Sequence, residues 1–147
     1  MIAYVDSSFL ARAYFDDEDG SEAARRVLAD PSIAKYTGRW TRIEVSAAIV
    51  RAGRARRRVE PIRSLARLDA DLRPGGRIEV IAAPDEQVEA RALAITREHG
   101  LRALDALHVA LAAIAIPQLA DKGEPLGFAS RDGDQATVAE SLGFAAV

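Results

Sequence analysis

The sequence predicts an α/β fold of three layers, in which helices cover both faces of a central, mostly parallel sheet. Short apolar stretches with strand character alternate with helical stretches along the whole chain, and this alternation is typical of such α/β/α folds. The 147 residues are 49% hydrophobic, which suffices for one domain with a buried core. Because we find no internal repeat, low-complexity tract or linker, we expect residues 1–147 to form a single domain.

The first half of the chain predicts two strands and four helices. The strands are expected at residues 2–5 and 33–37. The helices are expected from Ser7 or Ser8 through Tyr14, at 22–29, from 41 to about 57, and from Pro61 until the Pro-Gly-Gly at 74–76. The third helix has apolar residues at helical spacing that should lie near one face, namely Ile43, Ala47, Ile49 and Val50.

The second half predicts three more strands and three more helices. The strands are expected at residues 78–82, 126–130 and 144–147, and the helices at 84–99, 104–116 and 134–142. Gly100 is suited to closing the fifth helix. Pro117 is expected to end the sixth, since proline breaks a helix interior.

The composition excludes several kinds of site. The chain has no cysteine, which rules out disulfides, thiolate metal sites, iron–sulfur clusters and a cysteine nucleophile. No apolar segment of secretory type follows Met1. The longest apolar stretch, residues 103–117, contains Asp105 and His108 and is shorter than the roughly 20 residues of a membrane span. We therefore expect a cytoplasmic protein without a membrane segment.

The basic residues are nearly all arginine, although the net charge is −2. Arginine suits planar contact with phosphate. Five arginines fall within residues 51–58, namely Arg51, Arg54, Arg56, Arg57 and Arg58. This run has two readings: a solvated helix end, where cations are favoured, or a contact with nucleic-acid phosphates.

Two acidic residues follow predicted strands. Asp6 comes directly after residues 2–5, and Asp132 follows residues 126–130 after one intervening position. In open α/β sheets, sites form beyond the carboxyl ends of the strands. Each residue alone is equally well explained as a helix cap or turn former, but neighbouring strands would bring the two together.

Two further acids lie in apolar helical segments. Glu44 and Asp105 stand out there because carboxylates are rarely buried unless they are paired or bind a metal ion. Glu44 could instead pair with Arg42 or Arg51, or be exposed. Asp105 could instead be a first-turn residue favoured by the helix dipole.

Together these four carboxylates predict a site for a hard cation. Acids gathered in one cleft raise each other's pKa, and a bound divalent cation relieves that repulsion. Oxygen ligands favour Mg²⁺ or Mn²⁺ over Zn²⁺. Such a site can activate water against a phosphodiester.

Four motifs in order then resemble those of PIN-domain nucleases. They are YVDSSFL (residues 4–10), TRIEV (41–45), GLRALDALHVA (100–110), and ASRD (129–132) followed by VAESLGF (138–144). The third is the most specific. The size and layout look like the VapC-type toxins of toxin–antitoxin pairs.

The resemblance implies roles for particular residues. Asp6, Glu44, Asp105 and Asp132 would be the catalytic residues that share one or two Mg²⁺ or Mn²⁺ ions. Ser8 and Ser130 would support the site through hydrogen bonds, and Asp134 would be a further carboxylate. The arginines nearest the motif acids in sequence would be candidate RNA contacts, namely Arg12, Arg39 and Arg42.

The resemblance also implies a biological role. The chain would be an endoribonuclease toxin that leaves 5′-phosphate and 3′-hydroxyl ends, forms a homodimer and is held inactive by a small antitoxin. Because one small core cannot need all of the apolar residues after Ser8 and Thr41, we also expect some of them to line a groove. Its occupant would be an amphipathic antitoxin helix that inserts an arginine, or alternatively the second copy of a homodimer. These residues are Phe9, Leu10, Tyr14, Ile43 and Ala47.

Other side chains near the motifs leave alternatives open. His108, three residues after Asp105, reads as a general base or as a structural histidine bonded to a backbone group. Trp40, beside Arg39, reads as a substrate contact or as partly buried packing.

Two other functional classes compete with the nuclease. The first is a phosphatase with Asp6 as nucleophile. It would want a second Asp where Ser8 stands and a lysine near the site, and by sequence neither Lys35 nor Lys122 is well placed. The second is a non-catalytic binding module, which gives Glu44 and Asp105 no reason to join the strand-end acids. Dependence of RNA cleavage on added metal separates the nuclease from this module.

Overall fold

A computed structural model describes residues 1–15, 19–55 and 60–147, and it confirms the expected three-layer α/β/α fold. The strands within these ranges are β1 (Ile2–Val5), β2 (Ala34–Gly38), β3 (Glu79–Ile81), β4 (Leu126–Ala129) and β5 (Ala145–Ala146). The helices are α1 (Ser7–Arg12), α2 (Ser21–Ala29), α3 (Arg39–Arg54), α4 (Pro61–Leu72), α5 (Asp85–His99), α6 (Ala103–Leu119) and α7 (Gly133–Ser141). Residues 56–58 of the arginine run, and the expected end of the third helix, lie outside the described residues.

The strands form one sheet in the order β3-β2-β1-β4-β5, and the four pairings between these strands are parallel. The central strand β1 is buried along its length. It pairs Tyr4 with Tyr36 of β2 and with Phe128 of β4. Parallel strands all end at the same edge, which we call the carboxyl edge, and Asp6 therefore lies at its centre.

Successive residues of β1 face opposite sides of the sheet and join two cores. Tyr4 packs with residues of α5, α6 and α7 on one face. Val5 packs on the other face with residues of α1 to α4, including Leu10 and Ile49. Packing against β1 therefore holds the helices of both faces at fixed positions relative to Asp6, the residue that follows this strand.

Two predictions about helix ends were wrong. The N-cap of α1 is Asp6 rather than Ser7 or Ser8, because the Asp6 side chain accepts a hydrogen bond from the Phe9 amide. Helix α6 continues through Pro117 to Leu119, although Pro117 cannot donate a hydrogen bond to the Ala113 carbonyl.

The buried face of α3 also differs from the expected one. It consists of Thr41, Val45, Ile49 and Ala52, whereas Ile43 is 71% exposed. Apolar residues occur on several sides of this helix, so spacing alone did not identify the face that packs. Among the described residues no single helix is long and apolar enough to cross a membrane, and α5 with α6 would reach that length only as a pair bent by 120°.

An ion pair between a buried aspartate and a half-exposed arginine anchors the segment between α4 and β3. Asp71 of α4 is 6% exposed. Its two carboxylate oxygens each accept a hydrogen bond of 2.7 Å from Arg77, and the Tyr14 hydroxyl donates to the same group at 2.7 Å. Arg77 thus neutralises a charge that would otherwise be costly to bury.

Replacing Arg77 by Leu is expected to lower the free energy of unfolding by about 2 to 3 kcal/mol, because Asp71 would remain buried without its cation. Urea unfolding measures the loss. The matched control is the double variant Arg77→Leu/Asp71→Leu, which should recover part of it. An unchanged unfolding midpoint for Arg77→Leu would contradict this account.

Candidate active site

Asp6 is a buried carboxylate at the end of the central strand. Only 2% of the residue is exposed. Its Oδ1 accepts from the Phe9 amide and the Ser8 hydroxyl, each at 2.9 Å, and Oδ2 lies 3.1 Å from Ser130 Oγ. Burial raises the pKa of Asp6 to about 6, although these donors act in the opposite direction. The charge is therefore only partly compensated by its neighbours.

Ser130 connects Asp6 to the start of α7. Its Oγ accepts from the Asp132 amide at 3.0 Å and lies 2.6 Å from Gln135 Oε1, so its single proton can serve Gln135 or Asp6. Asp132 caps α7, since its Oδ1 accepts from the Gln135 amide at 3.0 Å. The two strand-end acids are thus linked through one hydroxyl.

Glu44 is held on both carboxylate oxygens. Oε1 lies 2.7 Å from His108 Nε2, and Oε2 accepts from Ser7 Oγ at 2.9 Å. Burial acts to raise the pKa of Glu44, but the contacts with His108 and Ser7 outweigh it and lower the pKa below its ordinary value. The alternative pairing with Arg42 is wrong, because Arg42 binds Asp69 at 2.7 Å.

His108 is a buried histidine whose hydrogen-bond partners are side chains, and not the backbone group of the structural alternative. It is 1% exposed, and its Nδ1 lies 2.7 Å from the Tyr4 hydroxyl. Trp40 contacts its ring edge-on at 6.2 Å between centroids. Since both ring nitrogens are engaged and the ring is enclosed, this geometry gives His108 no access to substrate as a general base.

Asp105 lies in the first turn of α6, one turn before His108. Partial burial raises its pKa, and the charges of Asp132 and Glu44 raise it further. Its carboxylate accepts no hydrogen bond from any described residue, while its backbone carbonyl accepts from Gln135 Nε2 at 3.2 Å. The position also satisfies the helix-dipole alternative, which by itself does not account for the neighbouring acids.

The remaining expected residues lie on the surface or at its margin. Asp134 is exposed in the first turn of α7. Arg39 pairs with Asp85 at 2.9 Å and lies 5.2 Å above the Trp40 ring. Trp40 is partly buried against the core, and Arg12 lies half-buried in the last turn of α1. Both readings of Trp40, as packing and as a substrate contact, remain compatible with this position.

The four carboxylates suit a divalent cation in ligand type and in charge. Each oxygen has two lone pairs, so hydrogen bonding still leaves capacity on Glu44 and Asp6. In the described ranges, however, no three Asp, Glu or His side chains are already grouped so that they could hold one ion. Binding would therefore require the side chains to move together, and Asp105 could do so without breaking a hydrogen bond to a described residue.

Sequence reasoning missed three residues that organise this region. Ser7 and Tyr4 belong to the first motif, but their partners are 37 and 104 positions away. Gln135 is fully buried and bridges α7 to the start of α6. Its position three residues after Asp132 suggests a helix first turn; only its complete burial as a polar residue indicates a structural role.

A family model for the PIN domain matches residues 3–140. The chain therefore belongs to the PIN-domain family, whose members are generally nucleases. It is also similar to a chain of a solved structure titled "Toxin-antitoxin complex from Klebsiella pneumoniae", with a TM-score of 0.55, 19% identity, and coverage of 92% of each chain. At 19% identity, this likeness shows a shared fold alone. No curated protein matches the chain.

Asp6→Asn is expected to stabilise the metal-free protein by about 1 to 2 kcal/mol near pH 7.5, because asparagine has no charge to bury. The folded pKa of about 6 lies above the ordinary value of 3.8. The stability that Asp6 contributes is thus fully present below about pH 4 and is lost as the pH rises through about 6.

Urea unfolding in EDTA across this range measures the effect, with Asp134→Asn on the surface as control. The advantage of Asp6→Asn should shrink as the pH falls toward about 4. An advantage of equal size at both ends of the range would contradict the assignment of the charge to Asp6.

Proposed function

We propose that the chain is a Mg²⁺- or Mn²⁺-dependent endoribonuclease that hydrolyses phosphodiester bonds of RNA. Membership of the PIN-domain family supports a nuclease. The observation that supports the proposal is that acids from four elements lie near the carboxyl edge, where the charges of Asp132 and Glu44 act on Asp105 and where Ser130 connects Asp6 to Asp132. The four acids are Asp6 after β1, Glu44 in α3, Asp105 in α6 and Asp132 before α7.

The chain's own residues have distinct tasks in this proposal. Asp6, Glu44 and Asp132 are pre-oriented by hydrogen bonds, whereas Asp105 would close around the cation. The cation, when bound, supplies Lewis-acid stabilisation of the charge that develops on the phosphate. Ser8 and Ser130 support Asp6 by hydrogen bonding.

RNA binding needs positive charge outside this acidic site. Arg39 and Arg42 are exposed at the start of α3, the helix that carries Glu44. We assign them, with Arg12 at the end of α1, to contacts with RNA phosphates, which position a substrate without reading its sequence. Asp85 and Asp69 would release their arginines to the RNA on binding.

The phosphatase alternative lacks a suitable lysine. Lys35 lies in β2 near the amino ends of the strands and donates to the Asp30 carbonyl, and Lys122 precedes β4 on the same side. Both are therefore remote from Asp6. Position 8 is a serine that already donates to Asp6.

We further propose that the enzyme is a toxin that forms a homodimer and is neutralised by an antitoxin. The fold-level likeness to a chain of a toxin–antitoxin complex supports this role. Of the five apolar residues expected to line a docking groove, Phe9, Leu10 and Tyr14 are buried in the core. Ala47 is half-buried and Ile43 is 71% exposed, which leaves the outer side of α3 as the proposed docking surface.

Asp105→Asn is expected to reduce RNA cleavage by roughly 100-fold or more, because it removes a charged ligand that a neutral amide replaces poorly. The assay measures cleavage of a fluorescent single-stranded RNA with Mg²⁺, Mn²⁺ or EDTA. Asp121→Asn, which precedes β4 at the opposite edge, is the matched control. Undiminished cleavage by purified Asp105→Asn, or cleavage in EDTA, would refute the assignment.

Co-expression with the small protein encoded by the adjacent reading frame is expected to relieve growth inhibition and to yield a stable complex. Ile43→Glu should abolish complex formation, since it places a charge on the apolar docking surface. Light scattering of the free protein provides the second readout. Loss of a homodimer with the complex retained would assign Ile43 to the dimer interface, and failure of the wild-type chain to bind would overturn the antitoxin proposal.

A further inference from the structure

We propose that His108 is a positioning residue for Glu44, and that a Tyr4–His108–Glu44 chain fixes the direction in which this carboxylate faces the site. The inference rests on the proposed function, because Glu44 is taken there as a metal ligand. It adds the residues that hold this ligand, and it explains a buried histidine that the nuclease chemistry leaves without a task.

The hydrogen bonds from Tyr4 through His108 to Glu44 are continuous, and both are short. The Tyr4 hydroxyl and His108 Nδ1 are 2.7 Å apart, and His108 Nε2 and Glu44 Oε1 are 2.7 Å apart. The histidine is 1% exposed. A rotation of the imidazole would therefore break both contacts without offering water in exchange.

The chemistry of the partners sets the direction of the hydrogen bonds. A carboxylate only accepts hydrogen bonds, so the proton facing Glu44 is on Nε2 of the ring. An imidazole with its single proton on Nε2 has an acceptor at Nδ1, to which the Tyr4 hydroxyl donates a hydrogen bond. This arrangement selects one tautomer and one ring orientation.

The residues around Tyr4 and His108 leave little space for any other arrangement of these side chains. An added Cβ at Gly38 would lie 2.8 Å from the Tyr4 hydroxyl and 2.9 Å from Leu111 Cδ2. Trp40 closes another side of His108. Tyr4 itself belongs to the central strand, which is buried along its length. Through His108 of α6, the hydrogen bonds therefore hold Glu44 of α3 at a fixed position relative to this strand.

Positioning would act on affinity for the cation. Glu44 receives one donor on each oxygen, from His108 and from Ser7, so each oxygen keeps a lone pair for a metal ion. Hydrogen-bonded partners of metal ligands typically contribute 10- to 100-fold in metal affinity or activity. The ordering of the carboxylate is then complete before the cation arrives.

The test compares two substitutions of similar size. In His108→Gln the amide nitrogen can take the place of Nε2 and still donate to Glu44, whereas in His108→Asn the shorter side chain can reach only the position of Nδ1. Mn²⁺ binding is measured by electron paramagnetic resonance on the full chain, with thermal unfolding in parallel. We expect Mn²⁺ affinity about 10- to 100-fold weaker in His108→Asn and within a few-fold of wild type in His108→Gln.

A second pair of variants guards against misfolding. Tyr4→Phe removes one oxygen from the chain and should weaken Mn²⁺ binding by about 3- to 10-fold. Tyr36→Phe on the neighbouring strand is the matched control and should leave it unchanged. Nitrogen-15 NMR of the Mg²⁺-loaded wild-type protein should show His108 protonated on Nε2 and accepting on Nδ1.

The outcomes separate this inference from the proposed function. Equal Mn²⁺ affinity in folded His108→Asn and His108→Gln, unchanged affinity in Tyr4→Phe, or a ring protonated on Nδ1 alone would overturn the positioning role while the nuclease assignment stands. Absence of Mn²⁺ binding by the wild-type chain would overturn the metal-dependent function and the inference with it. A loss of Mn²⁺ affinity that increases from His108→Gln through Tyr4→Phe to His108→Asn would support both the positioning role and the metal-dependent function.

Discussion

The carboxylate of Asp6 needs hydrogen-bond donors because it is buried at the end of the central strand, and the elements that supply them are those that form the site. The Phe9 amide and the Ser8 hydroxyl come from α1, and the Ser130 hydroxyl comes from the turn after β4. Burial still raises the pKa of Asp6 to about 6. The same contacts that reduce the cost of this charge therefore also fix α1 and the start of α7 against β1.

The other acids are accommodated by comparable means. Imidazole and hydroxyl donors hold Glu44, a backbone amide holds Asp132, and Asp105 experiences the charges of both. Hydrogen bonds orient a carboxylate, but neutral donors do not cancel its charge. The carboxyl edge consequently combines carboxylates oriented by hydrogen bonds with charge repulsion, which a divalent cation would relieve under the proposed function.

Local sequence patterns predicted the parts of this arrangement that depend on neighbours in the chain. The alternation of strands and helices predicted the three-layer fold, and the positions of Asp6 and Asp132 after strands predicted their place at one edge. The contacts of His108 and Ser7 join residues 64 and 37 positions away. They form only because α1 and α3 on one face of the sheet meet α6 from the other face at the carboxyl edge. Likewise, the buried face of α3 followed from which neighbours surround it rather than from its spacing.

Helix α3 shows how one element can couple the core, the site and the surface. Val45 and Ile49 are fully buried, so the helix cannot rotate without opening the core. Glu44 is directly adjacent to Val45 and about 100° around the helix from it, which brings it to the histidine of α6. Ile43, one position further, is exposed. Any molecule that covers Ile43 must consequently lie beside Glu44, because two successive residues on a helix rigidly held by its core cannot move apart.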